Sequence, residues 1–102
     1  MRTNKYQIRL LSIAEEDFTE IISFIAADNQ KAAAVLADNI ENNLELLSQN
    51  PKLGRIPREN EIRKLGYRYL IVQNYLIFYT IENKSILIHR ILHGARDYKS
   101  FL

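Results

Sequence analysis

Three consecutive runs decide the fold: Tyr67-Arg68-Tyr69-Leu70-Ile71-Val72, Tyr75-Leu76-Ile77-Phe78-Tyr79-Thr80-Ile81 and Ser85-Ile86-Leu87-Ile88-His89-Arg90-Ile91-Leu92. Each is rich in β-branched and aromatic residues, which pack well on a pleated surface, so each reads as a strand. Gln73-Asn74 and Glu82-Asn83-Lys84 separate them. Links this short and polar predict hairpins, and asparagine tolerates the positive φ that such turns demand. The middle run is apolar on both faces, as an interior strand should be. A basic tail follows, His93-Gly94-Ala95-Arg96-Asp97-Tyr98.

Upstream, Tyr6, Ile8 and Leu10 alternate with Gln7 and Arg9, the period of a short strand with one buried face. Ser12-Ile13-Ala14-Glu15 has the spacing of a capping box and opens a helix. Its acidic first turn suits the positive end of the helix dipole. Phe18, Ile21, Ile22 and Ile25 fall on one helical stripe. Asp28-Asn29 breaks that helix and supplies a cap for a second, in which Leu36, Ile40, Leu44 and Leu47 share a face. Asn50-Pro51 ends it, because a residue before proline avoids the helical region. Two helices joined by so short a break predict an antiparallel hairpin. The expected fold is α+β, in the order β-α-α-β-β-β, as one domain over 1–102. An N-terminal strand and a helical hairpin precede a three-stranded antiparallel meander, with the helices on one sheet face.

Charge is polarised along the chain. Residues 12–48 carry eight acidic side chains and one lysine, net −7, while the remainder carries net +9, which together give the formal +2. The near-neutral total therefore hides an acidic helical half and a basic half suited to a polyanion or an acidic partner. With no cysteine there is no disulfide framework and no thiolate metal site. Arg2, Lys5 and Arg9 stand among polar residues with no apolar h-region, and no apolar run approaches the roughly 20 residues of a membrane span. The expectation is a cytoplasmic protein that engages no membrane.

Residues 49–66 hold Pro51, Gly54, Pro57 and Gly66 with Lys52, Arg55, Arg58, Arg63 and Lys64. They read equally as a solvated connector and as a functional basic loop. One helical hairpin covers one sheet face, so the other face is expected to be open. It should carry tyrosines, Arg68 and either His89 or Arg90, and to offer itself to a peptide or nucleic acid. His89 and His93, on one strand face, would lie about 13 Å apart at ~3.3 Å per residue, too far to share an ion. No metal is expected. The chain has only three glycines and no phosphate-cradling loop, which argues against nucleotide or hydride chemistry, and no cofactor or small-molecule substrate is expected. Arg96-Asp97 reads blandly as a local ion pair.

The segments Tyr75–Tyr79, Ile86–Leu92 and His93-Gly94-Ala95-Arg96-Asp97, with Pro51-x-x-Gly54 and Arg63-x-Leu65 before them, resemble the RelE/ParE toxin superfamily, and within it the ParE-type and plasmid-stabilisation members. The resemblance implies the toxin of a type II toxin–antitoxin pair, neutralised by a cognate antitoxin. RelE-like members cut mRNA on the ribosome, using basic residues and a late tyrosine or histidine. ParE-like members poison DNA gyrase and lack that set. Where ribonucleolytic relatives carry an arginine at the start of the central strand, this chain has Tyr75. Arg96 matches the arginine after the strand-ending glycine, and Leu102 stands where a late tyrosine belongs. The resemblance therefore favours a gyrase inhibitor, with an mRNA interferase as the alternative and a non-toxic binding module as a third reading. Were the chain a ribonuclease, His93, Arg96 and Tyr98 would be its catalytic candidates. The candidate surface for target or antitoxin is Arg63, Arg68, Tyr75, His89, Arg90, His93, Arg96 and Lys99.

Overall fold

The structure is a computed structural model and describes residues 5–102; the start of the stretch read for a targeting signal, residues 1–4, lies outside the described residues. Strand β1 (Gln7–Leu10) leads into helix α1 (Ser12–Ala26) and helix α2 (Gln30–Gln49). A five-residue helix α3 (Asn60–Lys64) follows, then β2 (Arg68–Val72), β3 (Tyr75–Glu82) and β4 (Ser85–His93), and a closing 3-10 turn, Tyr98–Phe101. The α+β order expected from the sequence is present, with α3 and the terminal turn added in stretches that carry no periodicity.

The sheet runs β1-β4-β3-β2, with β1 parallel to β4 and the meander antiparallel. Interior β3 buries Ile77, Phe78 and Tyr79 completely. Both hairpin turns hold one non-glycine residue at positive φ, Gln73 at 54° and Asn83 at 56°. Asn83 meets the expectation for such turns, whereas in the first hairpin Gln73 takes the left-handed position instead of Asn74. The main core joins Leu36, Ile40 and Leu47 of α2 and Ala14 of α1 to Leu70, Val72, Ile77, Tyr79, Ile86, Ile88 and Ile91 of the sheet. The Asn29 side chain accepts from the Ala32 N–H at 3.0 Å and caps α2.

Ser12 does not form the expected capping box. Leu11 is the N-cap, and its carbonyl accepts from Ala14 and Glu15 with no side-chain bond. The Leu11 N–H is itself bonded to the Ile88 carbonyl at 3.0 Å, which holds Leu11 extended and makes Ser12 the first helical residue. A serine inside the helix is one place too late to cap it.

Beyond Ile88, β1 has ended and β4 continues for five residues. Asp17 of α1 fills that gap. Its carboxylate accepts from Arg90 Nε at 2.7 Å and Nη2 at 2.9 Å, and from the Ile91 N–H at 3.0 Å. The pair is largely buried, which makes these charge-assisted bonds strong and their removal costly. A second tie explains Pro51-x-x-Gly54. The Tyr79 hydroxyl donates to the Pro51 carbonyl and accepts from the Gly54 N–H, both at 2.8 Å. A Cβ on Gly54 would stand 2.5 Å from that hydroxyl and 2.9 Å from the Tyr69 carbonyl, so only glycine fits.

Asp17→Ala should lower unfolding free energy by about 3 kcal/mol, because it strands a buried guanidinium and an unpaired strand N–H. Asp17→Asn, which keeps an acceptor, should lose less. In the same denaturant titrations Gly54→Ala should cost about 2–3 kcal/mol through overpacking against Tyr79.

Candidate functional site

The sheet face away from the helices is not open. Phe78 there is fully buried, with the Tyr98 ring 5.0 Å and the Tyr69 ring 5.8 Å away. The closing turn thus lies on the sheet, and the Tyr98 hydroxyl fastens it by donating to Glu59 at 2.7 Å. Ile62 of α3, with Leu65, Lys99 and Leu102, lines a shallow depression where helix and tail meet. The apolar residues of the tail and α3 cover what a helix count alone leaves bare; Ile71 remains about half exposed at the β2 side.

Several expected site cations serve the fold. Arg90 is bound to Asp17, which raises its pKa above the ordinary guanidinium value. Arg63 donates to the carbonyls of Pro57 and Arg58 and to the Asn60 side chain, holding the turn before α3. Arg68 donates to the Gly54 carbonyl at 3.1 Å. Arg96 does not pair with Asp97. Its guanidinium lies 4.4 Å from the Phe101 ring centroid, while Asp97 accepts from the Ser100 hydroxyl. A cation over an aromatic face keeps its charge available to solvent. Lys99 is exposed and lies instead where the tail meets α3.

The two histidines do not share a face. A bulge pairs Phe78 with Arg90 and Tyr79 with Ile88, leaving His89 as the extra residue. His89 contacts Thr80 Oγ1 at 2.9 Å and the Tyr67 hydroxyl at 3.3 Å on one side. His93 pairs with Tyr75 on the other, ring centroids 5.4 Å apart, and its Nδ1 accepts from the Ala95 N–H.

His93, Arg96 and Tyr75 come together along a groove of about 400 Å³ between α1 and the end of β4. Ile21 and Phe24 of α1 form its far wall, and Phe24 is 81% exposed. Glu20 adds a carboxylate. Phe24 was missed by sequence reasoning, since it lies between core positions of α1 and nothing in the spacing sets it apart. Tyr98 is not in this groove; burial and the Glu59 carboxylate push its pKa up to about 12.

This order of helices and strands has counterparts among known proteins. The sequence model described as "ParE toxin of type II toxin-antitoxin system, parDE" matches residues 8–98. The chain belongs to the ParE toxin family. Among solved structures, the chromosomal ParDE system of P. aeruginosa superposes with a TM-score of 0.72 at 19% identity, covering 89% of this chain and 98% of that one. The RelBE2 toxin–antitoxin complex of Mycobacterium tuberculosis gives 0.62 at 19% identity, over 93% and 98%. Identities this low establish a shared fold. A search of curated protein sequences finds no match. Among the described residues of this ParE-family chain, no group of three metal-ligating side chains converges, and no helix is long and apolar enough to cross a membrane.

Burial lowers the His89 pKa, because a charged imidazole loses hydration between Tyr67 and Thr80. The unfolded chain therefore takes up this proton first. Stability is full above the ordinary 6.5 and falls as pH drops through the lowered folded value. Glu45 and Glu59 are held below their ordinary 4.5 and act only in more acid solution. The melting temperature should stay level between about pH 7 and 9 and decline as pH falls below about 6.5, and His89→Gln should flatten that acid segment of a calorimetric pH series.

Proposed function

We propose that this ParE-family chain is a toxin that acts by protein–protein contact on a topoisomerase such as DNA gyrase, and that a cognate antitoxin neutralises it. One observation carries the reading: of the candidate ribonuclease groups, Tyr98 stands apart from the groove that holds His93 and Arg96. In-line RNA cleavage needs a base, an acid and phosphate-binding cations around one point. Here the Tyr98 hydroxyl is bonded to Glu59, its proton held to about pH 12, on the far sheet face from His93. Arg96 is stacked on Phe101 and Tyr75 replaces the strand-opening arginine of RNA-cutting relatives. What remains is a contact surface of exposed Phe24, His93 and Arg96 beside half-buried Tyr75, with exposed Lys99 further along the tail near α3.

Two similar folds come from toxin–antitoxin systems, which supports an antitoxin partner. The interferase alternative draws support from one feature, the shared groove of His93 and Arg96. Expression without antitoxin should arrest growth and induce the DNA-damage response while primer extension shows intact message. Codon-positioned mRNA cleavage lost in His93→Ala would instead establish the interferase, and normal growth would establish a non-toxic module. Arg96→Ala should abolish toxicity and, because its stacking contributes only about 0.5–1 kcal/mol, barely move the melting temperature. Arg96→Lys should rescue poorly, since lysine lacks the planar fork.

A further inference from the structure

The basic end of the molecule is assembled from three segments. Arg55 and Arg58 come from the stretch before α3, Lys64 from α3 and Lys99 from the terminal turn, and all four are exposed. Among the described residues none of them is in an ion pair. Arg55 exchanges two backbone bonds with Tyr69, at 2.8 and 3.0 Å. Opposite residues of an antiparallel pair share a face, so Arg55 stands on the side of the sheet that carries Tyr98. Arg58 and Lys99 flank Glu59, whose pKa is lowered first by the Tyr98 hydroxyl and further by these two charges. The carboxylates nearby are engaged with the chain itself. Glu59 accepts from Tyr98 with its Oε1 shielded from solvent, and Asp97 accepts from the Ser100 hydroxyl. Glu61 remains exposed on α3.

We propose that this face grips the phosphate backbone of duplex DNA. The proposal rests on the topoisomerase reading above and adds the DNA that such an enzyme holds as a second partner. Phosphates repeat along a duplex, so unpaired cations spread over several elements meet them in many registers and gain affinity without reading sequence. Exposed Ile56 and Leu65 lie on the same stretch and make an acidic protein the competing occupant. A stable protein interface centres on an apolar anchor in a desolvated pocket. Here Phe78, the aromatic that could form one, is already covered by Tyr98 of the chain's own tail. The depression beside α3 has the cation Lys99 in its lining. The tail also lets DNA and enzyme be met together. It carries Arg96 to the groove at the strand exit and Lys99 to α3, with their Cα atoms no more than about 11 Å apart along the chain.

Fluorescence anisotropy of a labelled random-sequence duplex tests this on the full chain, beside a supercoiling assay with purified gyrase. Four phosphate contacts should give a log–log salt slope of about −3 to −4, a loss of roughly a hundredfold in affinity between 50 and 200 mM KCl. Arg58→Gln, Lys64→Gln and Lys99→Gln combined should keep the melting temperature, weaken binding at least tenfold and bring the slope to about −1. Arg96→Ala should bind the duplex as the unaltered chain does. No binding at 50 mM KCl, or a triple variant that binds like the unaltered chain, overturns the proposal. Displacement of the duplex by polyglutamate at equal charge concentration overturns it in favour of an acidic protein. Inhibition of supercoiling without duplex binding overturns the DNA face and leaves the topoisomerase reading standing. Duplex binding without inhibition overturns the topoisomerase reading alone.

Discussion

The carboxylate of Asp17 accepts three hydrogen bonds, and the join between the helical layer and the sheet depends on it. β1 is four residues long and β4 is nine, so the parallel pairing runs out with half of β4 still to come. A strand edge left there would face the protein with unpaired donors, at a cost comparable to a lost hydrogen bond for each one buried. α1 crosses this stretch and brings one side chain that satisfies the Ile91 N–H and grips Arg90 through its Nε and Nη2. The same bonds set the rotation of α1, because Asp17 can meet β4 only if the Phe18, Ile21, Ile22 and Ile25 stripe faces the core. The arginine also reaches the terminal turn, with Phe101 5.2 Å from its guanidinium carbon, so one ion pair links helix, sheet and tail.

Tyr79 plays the corresponding part for the basic segment. Its ring is buried in the main core while its hydroxyl holds Pro51 and Gly54. Burial raises the Tyr79 pKa, which keeps that hydroxyl protonated and able both to donate and to accept. Arg55 then exchanges two backbone bonds with Tyr69 alongside β2, and Arg63 closes the turn into α3. A stretch without periodicity is thus given one shape by tertiary bonds rather than by local propensity.

The elements legible in the sequence were those whose periodicity reports a single buried face: both long helices, their Asn29 break, and the three strands with their hairpins. The N-terminal strand was legible as a strand, while its parallel placement beside β4 was not, since alternation says nothing of which neighbour a strand takes. Three misreadings share a cause. The capping box, the open second sheet face and the common face of His89 and His93 each assumed a local rule that a distant contact overrides. Ile88 fixes Leu11, Tyr98 covers Phe78, and a one-residue bulge turns His93 to the other side. In the candidate site, Tyr75, His93 and Arg96 were named and do come together. Phe24 was not, because an exposed aromatic between core positions has the same spacing as a solvated one.

The basic half of the molecule separates two roles that formal charge merges. Arg90 faces a carboxylate at close range, so its charge is compensated and adds little to the outward field. Arg63 and Arg68 are bonded to carbonyls and an amide, which are neutral, so they are geometrically fixed yet still charged. With Lys52, Arg55, Arg58 and Lys64 they keep the loop side positive over distances of about 8 Å at physiological salt. Such a field raises encounter rates with an acidic surface without specifying which one. Discrimination needs groups able to form directional bonds, and under the proposed function Arg96 and the His93 Nε2 would supply them at the strand exit beside the apolar Phe24. Under the proposed function the acidic helices, carrying most of the opposite charge, would orient the approach by repelling the same partner from the other side. Under the proposed function the polarity of the chain would steer, and the groove at the end of β4 would select.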